Sequence, residues 1–212
     1  MIRVLILGAG GHGRVVADIL HQIENSSGEL TAIGYLDDDV NLINQEVGRL
    51  RVLGTVQDHL AKTAHDGLIL AIGDNQARKS LYCQLEDSEQ FVVACHPRAV
   101  VSPEAEVGRG SVVCAGVMVN PVARVGADVI LNTGCTVDHH NQLADHCHIG
   151  PGAHLGGRVC VGEGSLVGLG AVILPNRRVG NWSTVGAGAV VVEDVPDHAT
   201  VVGVPARVVL VA

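Results

Sequence analysis

The chain has 212 residues, a net charge of −8 and 47% apolar residues. This length allows one or two domains with a real core, and the acidic balance argues against nucleic acid as a main partner. Aromatics at 2% disfavour an ordinary mixed core and suit a narrow interior of Val, Leu and Ile.

Residues 1–96 read as alternating strand and helix. Ile2–Leu7 is expected to be a strand and Gly8–Gly13 a glycine loop, GAGGHG. Arg3 is the only basic residue before that loop, so no signal peptide or membrane span is expected here. A helix follows over about Arg14–Glu24, with Val15, Val16, Ile19, Leu20 and Ile23 on one face. Thr31–Leu36 is a second strand, ending in Asp37, Asp38 and Asp39; Gly67–Ile72 is a third. A helix over roughly Gln76–Glu86 and a strand at Phe91–Cys95 complete a βαβ pattern with a parallel sheet.

Gly8, Gly10 and Gly13 fit GxGxxG between a strand and a helix. Glycines let backbone approach a phosphate, and a helix N-terminus attracts its charge. Asp37 falls where a ribose hydroxyl would be read. Only about 95 residues precede the next pattern, enough for half of a dinucleotide domain. The expected ligand is therefore a nucleotide or nucleotide diphosphate, not NAD. A glycine turn with no ligand is the competing reading.

His96-Pro97 marks a switch, and residues 97–212 form the second domain. Sixteen consecutive hexapeptides, from Val101 to Val191, each begin with Val, Leu or Ile, and no insertion breaks the register. A fixed short period means coils stacked on one another, with the periodic aliphatic pointing inward. A period of six fits short strands joined by tight turns. Charge divides too: residues 1–96 carry 7 basic and 13 acidic groups (−6), the remainder 7 and 9 (−2). The six cysteines, Cys83, Cys95, Cys114, Cys135, Cys147 and Cys160, form no CxxC pair, so reduced thiols in a cytoplasmic protein are expected.

Five of eleven histidines, His139, His140, His146, His148 and His154, fall within one short stretch. Idle surface histidines, a metal site, or a general base with a ligand-positioning partner are the three readings. If three hexapeptides make a coil, residues 18 apart stack about 4.8 Å apart. Gly157 then lies beside His139, leaving an open slot where its N–H could face a developing oxyanion. Leu169 and Ala187 stack likewise and would line a groove along the coils. His140 and His146 are six apart and fall on different faces.

The repeats over residues 101–196 resemble the hexapeptide-repeat acyltransferases, whose fold is a left-handed parallel β-helix. Gly203–Arg207, GVPAR, is similar to that superfamily's tail near coenzyme A. The first half, with GAGGHG, Leu36-Asp37-Asp38, Ala71–Asn75 and Arg78, resembles the nucleotide-amino-sugar N-acetyltransferases of bacterial glycan synthesis. The sialic acid O-acetyltransferases are close relatives. The resemblance implies a half-Rossmann-like α/β domain before the β-helix, a homotrimer with sites between neighbouring β-helices, and acetyl-CoA as cosubstrate. Carried over residue by residue, it makes His139 the general base within Val137–Asn141 and Gly157 the oxyanion donor. It makes His148, Leu169, Ala187, Pro205 and Arg207 coenzyme contacts. It makes Gly10, Gly11, His12, Asp37, Asp38 and Gly73 nucleotide-sugar contacts. Where the family usually has an acid after the base, this chain has His140; His140 itself, Asp138 or another chain could then be the catalytic group that orients His139.

The implied reaction is acetyl transfer to the amine of a UDP- or GDP-linked 4-amino sugar, with no metal and no nucleic-acid or membrane partner. O-acetylation of a sialic acid or a related sugar is the alternative within the class. Outside it stand a β-helix carbonic anhydrase, whose histidine spacing differs from that at His140/His146 and His148/His154, and a non-enzymatic sugar-nucleotide sensor.

Overall fold

In the computed structural model, which describes Met1–Val211, the chain divides into two compact units, Met1–Pro97 and the residues from Arg98 onward.

In the first unit, β1 (Ile2–Leu7) is followed by α1 (Gly11–Ser26), β2 (Leu30–Leu36), β3 (Glu46–Val47), β4 (Leu50–Gly54), α2 (Val56–His59), β5 (Gly67–Leu70) and α3 (Asn75–Leu85). The sheet order is β3-β4-β2-β1-β5, parallel except for the β3–β4 hairpin. Val4, Leu5, Ile6 and Leu7 are all fully buried, as a central parallel strand covered on both faces requires. From β1 the chain passes to β2 on one side and later to β5 on the other. The carboxyl end of β1 is therefore the switch point where open α/β sheets form a crevice.

Several local expectations shift. α1 starts at Gly11, not Arg14, with Gly10 as N-cap; the poor helix propensity of glycine hid its first turn. Val15 is 39% exposed and does not belong to the packing face, which is Gly13, Val16, Ile19, Leu20 and Ile23. β5 ends at Leu70, and Phe91–Cys95 is not a continuous strand: Phe91 makes a single parallel bridge to Leu68, and Ala94–Cys95 is a separate two-residue strand. The β3–β4 hairpin was missed because so few apolar residues alternate there.

The second unit is a parallel β-helix. Two-residue strands pair strictly 18 apart, as in Val119↔Val137, Val125↔Leu143 and Leu131↔Ile149, so three hexapeptides make one coil. The first face holds Thr136–Val137 and His154–Leu155, the second Gln142–Leu143 and Cys160–Val161, the third His148–Ile149 and Leu166–Val167. The periodic aliphatics point inward: Leu131, Ile149, Val167 and Val185 are each 0% exposed. Each is worth about 1.5–3 kcal/mol relative to exposure.

A second inward position lies four residues after each aliphatic and holds small side chains, including Ala123, Cys135, Asn141, Cys147, Ala153, Ser165 and Ser183, all at 0–1% exposure. That explains Cys135 and Cys147 as small corner-fillers, and burial pushes the Cys135 thiol up to about 12. All six cysteines are free. The last coil is closed by an antiparallel pair, Ala199–Val202 with Arg207–Val211. Among the described residues no helix is long and apolar enough to cross a membrane.

Candidate active site

The carboxyl ends of β1, β2 and β5 bring Gly10, Gly11, His12, Asp37, Asp38 and Gly73 to one edge of the first unit. A Cβ placed on Gly10, Gly11 or Gly73 would meet nothing within 4 Å, so this backbone stands open. Gly13 differs: its Cβ would lie 2.2 Å from the Gly8 carbonyl oxygen, so that glycine serves helix–strand packing. α1 has no side-chain cap, which leaves its first N–H groups at the open edge.

The acidic run has structural work as well. Asp37 Oδ2 accepts from the Ala9 N–H at 2.7 Å and its Oδ1 from the Asp39 N–H at 2.9 Å, pinning the glycine loop to β2. Asp38 Oδ1 accepts from the Val56 N–H at 2.9 Å. Each carboxylate oxygen keeps a second lone pair for a ligand. Arg78 is fully buried and donates from Nη1 to the Ile72 carbonyl and to Asn75 Oδ1, bracing the loop after β5. His12 is pushed down to about 4 by burial, then by the Arg78 cation, and is neutral at pH 7.

In the second unit His139 and His140 stand exposed at the corner between the first and second faces. Gly157, one coil on and buried, lies directly against the His139 ring: a Cβ there would sit 2.6 Å from Cε1 and 2.7 Å from Nε2. The carbonyl of Gly157 accepts from the Asn176 N–H at 2.9 Å. The base candidate is braced from the preceding coil. Asn120 Nδ2 donates to Asp138 Oδ1 at 2.8 Å, and the same oxygen accepts the His139 backbone N–H at 2.7 Å. The Asn120 bond, then that from His139, holds the Asp138 carboxyl below its ordinary range.

The remaining histidines of the cluster disperse. His148, on the third face, is 3.0 Å from Asn132 Nδ2 through its Nε2. Asn132 Oδ1 accepts from the Thr133 N–H, which fixes the amide's orientation. His148 Nε2 is then the acceptor, and Nδ1 carries the proton. His154 pairs with Thr136 Oγ1 on the first face at 2.9 Å. His146 is buried at the corner between the second and third faces, with Nδ1 2.8 Å from Asp128 Oδ2, so it serves the wall. Among the described residues no group of three or more His, Cys, Asp or Glu is placed to hold a metal ion.

Leu169, 60% exposed, and Ala187 stack at the corner between the third and first faces, where the Gly188 N–H donates to the Leu169 carbonyl. That is a different corner from the one carrying His139, so one chain does not bring base and coenzyme candidates together. Pro205 and exposed Arg207 lie in the closing turn, tied to Val190 through the Gly203 carbonyl and the Ala206 N–H. Sequence reasoning missed Asn120, Asn132 and the Asp128–His146 pair. The 18-residue stacking rule would have found Asn120 under Asp138 and Asp128 under His146. Asn141, at the end of Val137–Asn141, is a core residue whose Oδ1 accepts from the Val159 N–H.

Residues 3–85 match the PglD N-terminal domain family. The chain is 31% identical over 178 residues to GDP-perosamine N-acetyltransferase of Escherichia coli O157:H7, spanning 81% of this chain and 79% of that protein. PerB from Caulobacter crescentus, solved in complex with CoA and GDP-perosamine, is 39% identical with a TM-score of 0.88 over 97% of this chain and 96% of that one. The acetyltransferase domain of PglB from Neisseria gonorrhoeae FA1090, in complex with acetyl coenzyme A, is 37% identical with a TM-score of 0.90 over 98% of both chains. The likeness runs through both units, and it favours the acetyltransferase reading over the metal-site and sensor readings. The chain belongs to the nucleotide-amino-sugar N-acetyltransferase family of hexapeptide-repeat, left-handed β-helix acetyltransferases.

Proposed function

We propose that this protein transfers the acetyl group of acetyl-CoA to the amine of a nucleotide-linked amino sugar, of the UDP- or GDP-4-amino-sugar type, in bacterial surface-glycan synthesis. The observation that carries the reading is the Cε1–Nε2 edge of His139 set against buried Gly157, in a chain similar along its length to enzymes solved with CoA and GDP-perosamine.

The amine nitrogen attacks the thioester carbonyl carbon, and the carbonyl electron pair moves onto oxygen. Attack makes the nitrogen acidic, and His139 Nε2 takes its proton. The Gly157 N–H faces the oxyanion. Collapse of the intermediate re-forms the carbonyl and expels the CoA thiolate, which takes up a proton. Residues 1–96 hold the nucleotide diphosphate through Gly10, Gly11, His12, Asp37, Asp38 and Gly73. Residues 97–212 hold acetyl-CoA through His148, Leu169, Ala187, Pro205 and Arg207. His148, its ring held by Asn132 at Nε2, has a positioning role toward the coenzyme. Base and coenzyme candidates on separate corners of one β-helix support a homotrimer whose sites are shared between chains. The enzyme works in the cytoplasm, where acetyl-CoA and nucleotide sugars are made.

The test is release of the CoA thiol from acetyl-CoA across a panel of UDP-, GDP- and CMP-linked amino and hydroxy sugars. One amino sugar should be acetylated on nitrogen, and His139→Ala should lower kcat by about 10²–10⁴-fold while CoA still binds. Acetylation of hydroxyls alone, or near-normal kcat in His139→Ala, would overturn the reading.

A further inference from the structure

We infer that His140 is the positioning residue that selects the working tautomer of His139. The inference rests on His139 being the base of the proposed reaction.

The two rings meet Nδ1 to Nδ1 at 3.1 Å, edge to face, with centroids 5.2 Å apart and planes at 88°. A hydrogen bond between two imidazole nitrogens needs a proton on one and a lone pair on the other. Two arrangements of neutral rings satisfy that. Only one of them leaves a lone pair on His139 Nε2, at the edge that faces Gly157. In it His139 carries its proton on Nδ1, and His140 accepts through Nδ1 while holding its own proton on Nε2. His140 thereby acts on the base as a carboxylate would, with no charge.

No other group at this corner does that work among the described residues. Asp138 spends its Oδ1 on the His139 backbone N–H and on Asn120, and it bonds neither imidazole. Arg158 is the charged residue of the next coil; its backbone N–H donates to the His139 carbonyl, and a guanidinium has no lone pair to offer. Val122 and Asn176, which complete the His140 column, are uncharged. The backbone at His140 is left-handed, with φ +60, and its N–H donates to the Pro121 carbonyl at 3.2 Å. Glycine and asparagine tolerate that conformation, so variants are available that leave the corner unstrained.

The experiment compares steady-state kinetics of the full-length protein with His140→Gly, His140→Asn, His140→Lys and His140→Asp. The wild type's own amino-sugar substrate is used throughout. His140→Gly removes the acceptor and should lower kcat about 10- to 100-fold, as loss of a ring-orienting partner does, with KM for both substrates little changed. His140→Asn restores an acceptor oxygen and should recover most of that loss. His140→Lys offers only donors and should do no better than glycine. His140→Asp should recover rate and move the acid limb of kcat/KM to higher pH, because a carboxylate stabilises the imidazolium.

Unchanged kcat in His140→Gly, or asparagine no better than lysine, would overturn the inference. Nitrogen-15 shifts of the labelled histidines give an answer that does not need turnover: His139 should be protonated on Nδ1, and an Nε2–H form would refute the assignment. Failure of the wild type on every amine would refute the proposed reaction and leave the tautomer measurement to decide on His140.

Discussion

Alanine at Gly157 separates folding from catalysis at the proposed site. The new Cβ would lie 2.6 Å from His139 Cε1 and 2.7 Å from Nε2, whereas carbon atoms settle at about 3.5–4.0 Å. The ring must therefore move by about 1 Å. The Gly157 backbone is not left-handed, and the clashing ring ends an exposed side chain that can rotate. The fold should absorb the change for under about 1 kcal/mol. Catalysis should not, since misplacing a reacting group by about 1 Å costs about 10²-fold in rate, or about 2.7 kcal/mol. The neighbouring glycine supplies the opposite case. A Cβ on Gly156 would lie 2.8 Å from the ring Cδ and backbone nitrogen of Pro175, which cannot rotate away. Gly156→Ala should cost about 1–3 kcal/mol of stability and keep its rate per folded molecule. Thermal unfolding and kcat at saturating substrates measure both. A Gly157→Ala protein with kcat within about threefold of wild type would show that the His139–Gly157 slot is not where acetyl transfer occurs.

Three further outcomes are expected. Gly13→Ala drives a Cβ to 2.2 Å from the Gly8 carbonyl oxygen and should destabilise the first unit by about 1–3 kcal/mol or more; urea unfolding that matches wild type would contradict the packing role. His12 is held neutral, its folded-state pKa lowered from 6.5 to about 4, so the unfolded chain binds the extra proton. Its stability contribution is complete above pH 6.5 and is lost as pH falls toward 4, by up to about 3 kcal/mol; His12→Asn should flatten the stability–pH curve over that window, and an unchanged slope would count against the burial argument. His148→Ala should raise KM for acetyl-CoA more than it lowers kcat; the reverse split would give His148 a chemical role.

The β-helix was legible because its information is strictly periodic. Inward aliphatics recur every six residues without a break, and coil closure turns that period into an 18-residue stack that placed Gly157 against His139 in advance. The glycine loop was legible for a similar reason: the motif is local and lies between a strand and a helix. Its division of labour was not. That Gly13 packs on Gly8 while Gly10 and Gly11 stand open depends on where β1 and α1 meet. That Asp37 pins Ala9 depends on β2 lying beside β1.

Length, composition, the six-residue register and the motif order thus determined the two architectures and the chemistry to look for, because each is written in near-neighbour spacing. Only the tertiary structure decided which atoms each histidine of the cluster meets. One faces a glycine, one faces that histidine, one is buried against Asp128, one is aimed by Asn132 and one stacks on Thr136. Those partners come mainly from adjacent coils, up to 18 residues away in the chain. A histidine's protonation and use follow from the group opposite its ring nitrogens; the 18-residue stack names the neighbouring residue, but which ring nitrogen meets which atom is set only in three dimensions.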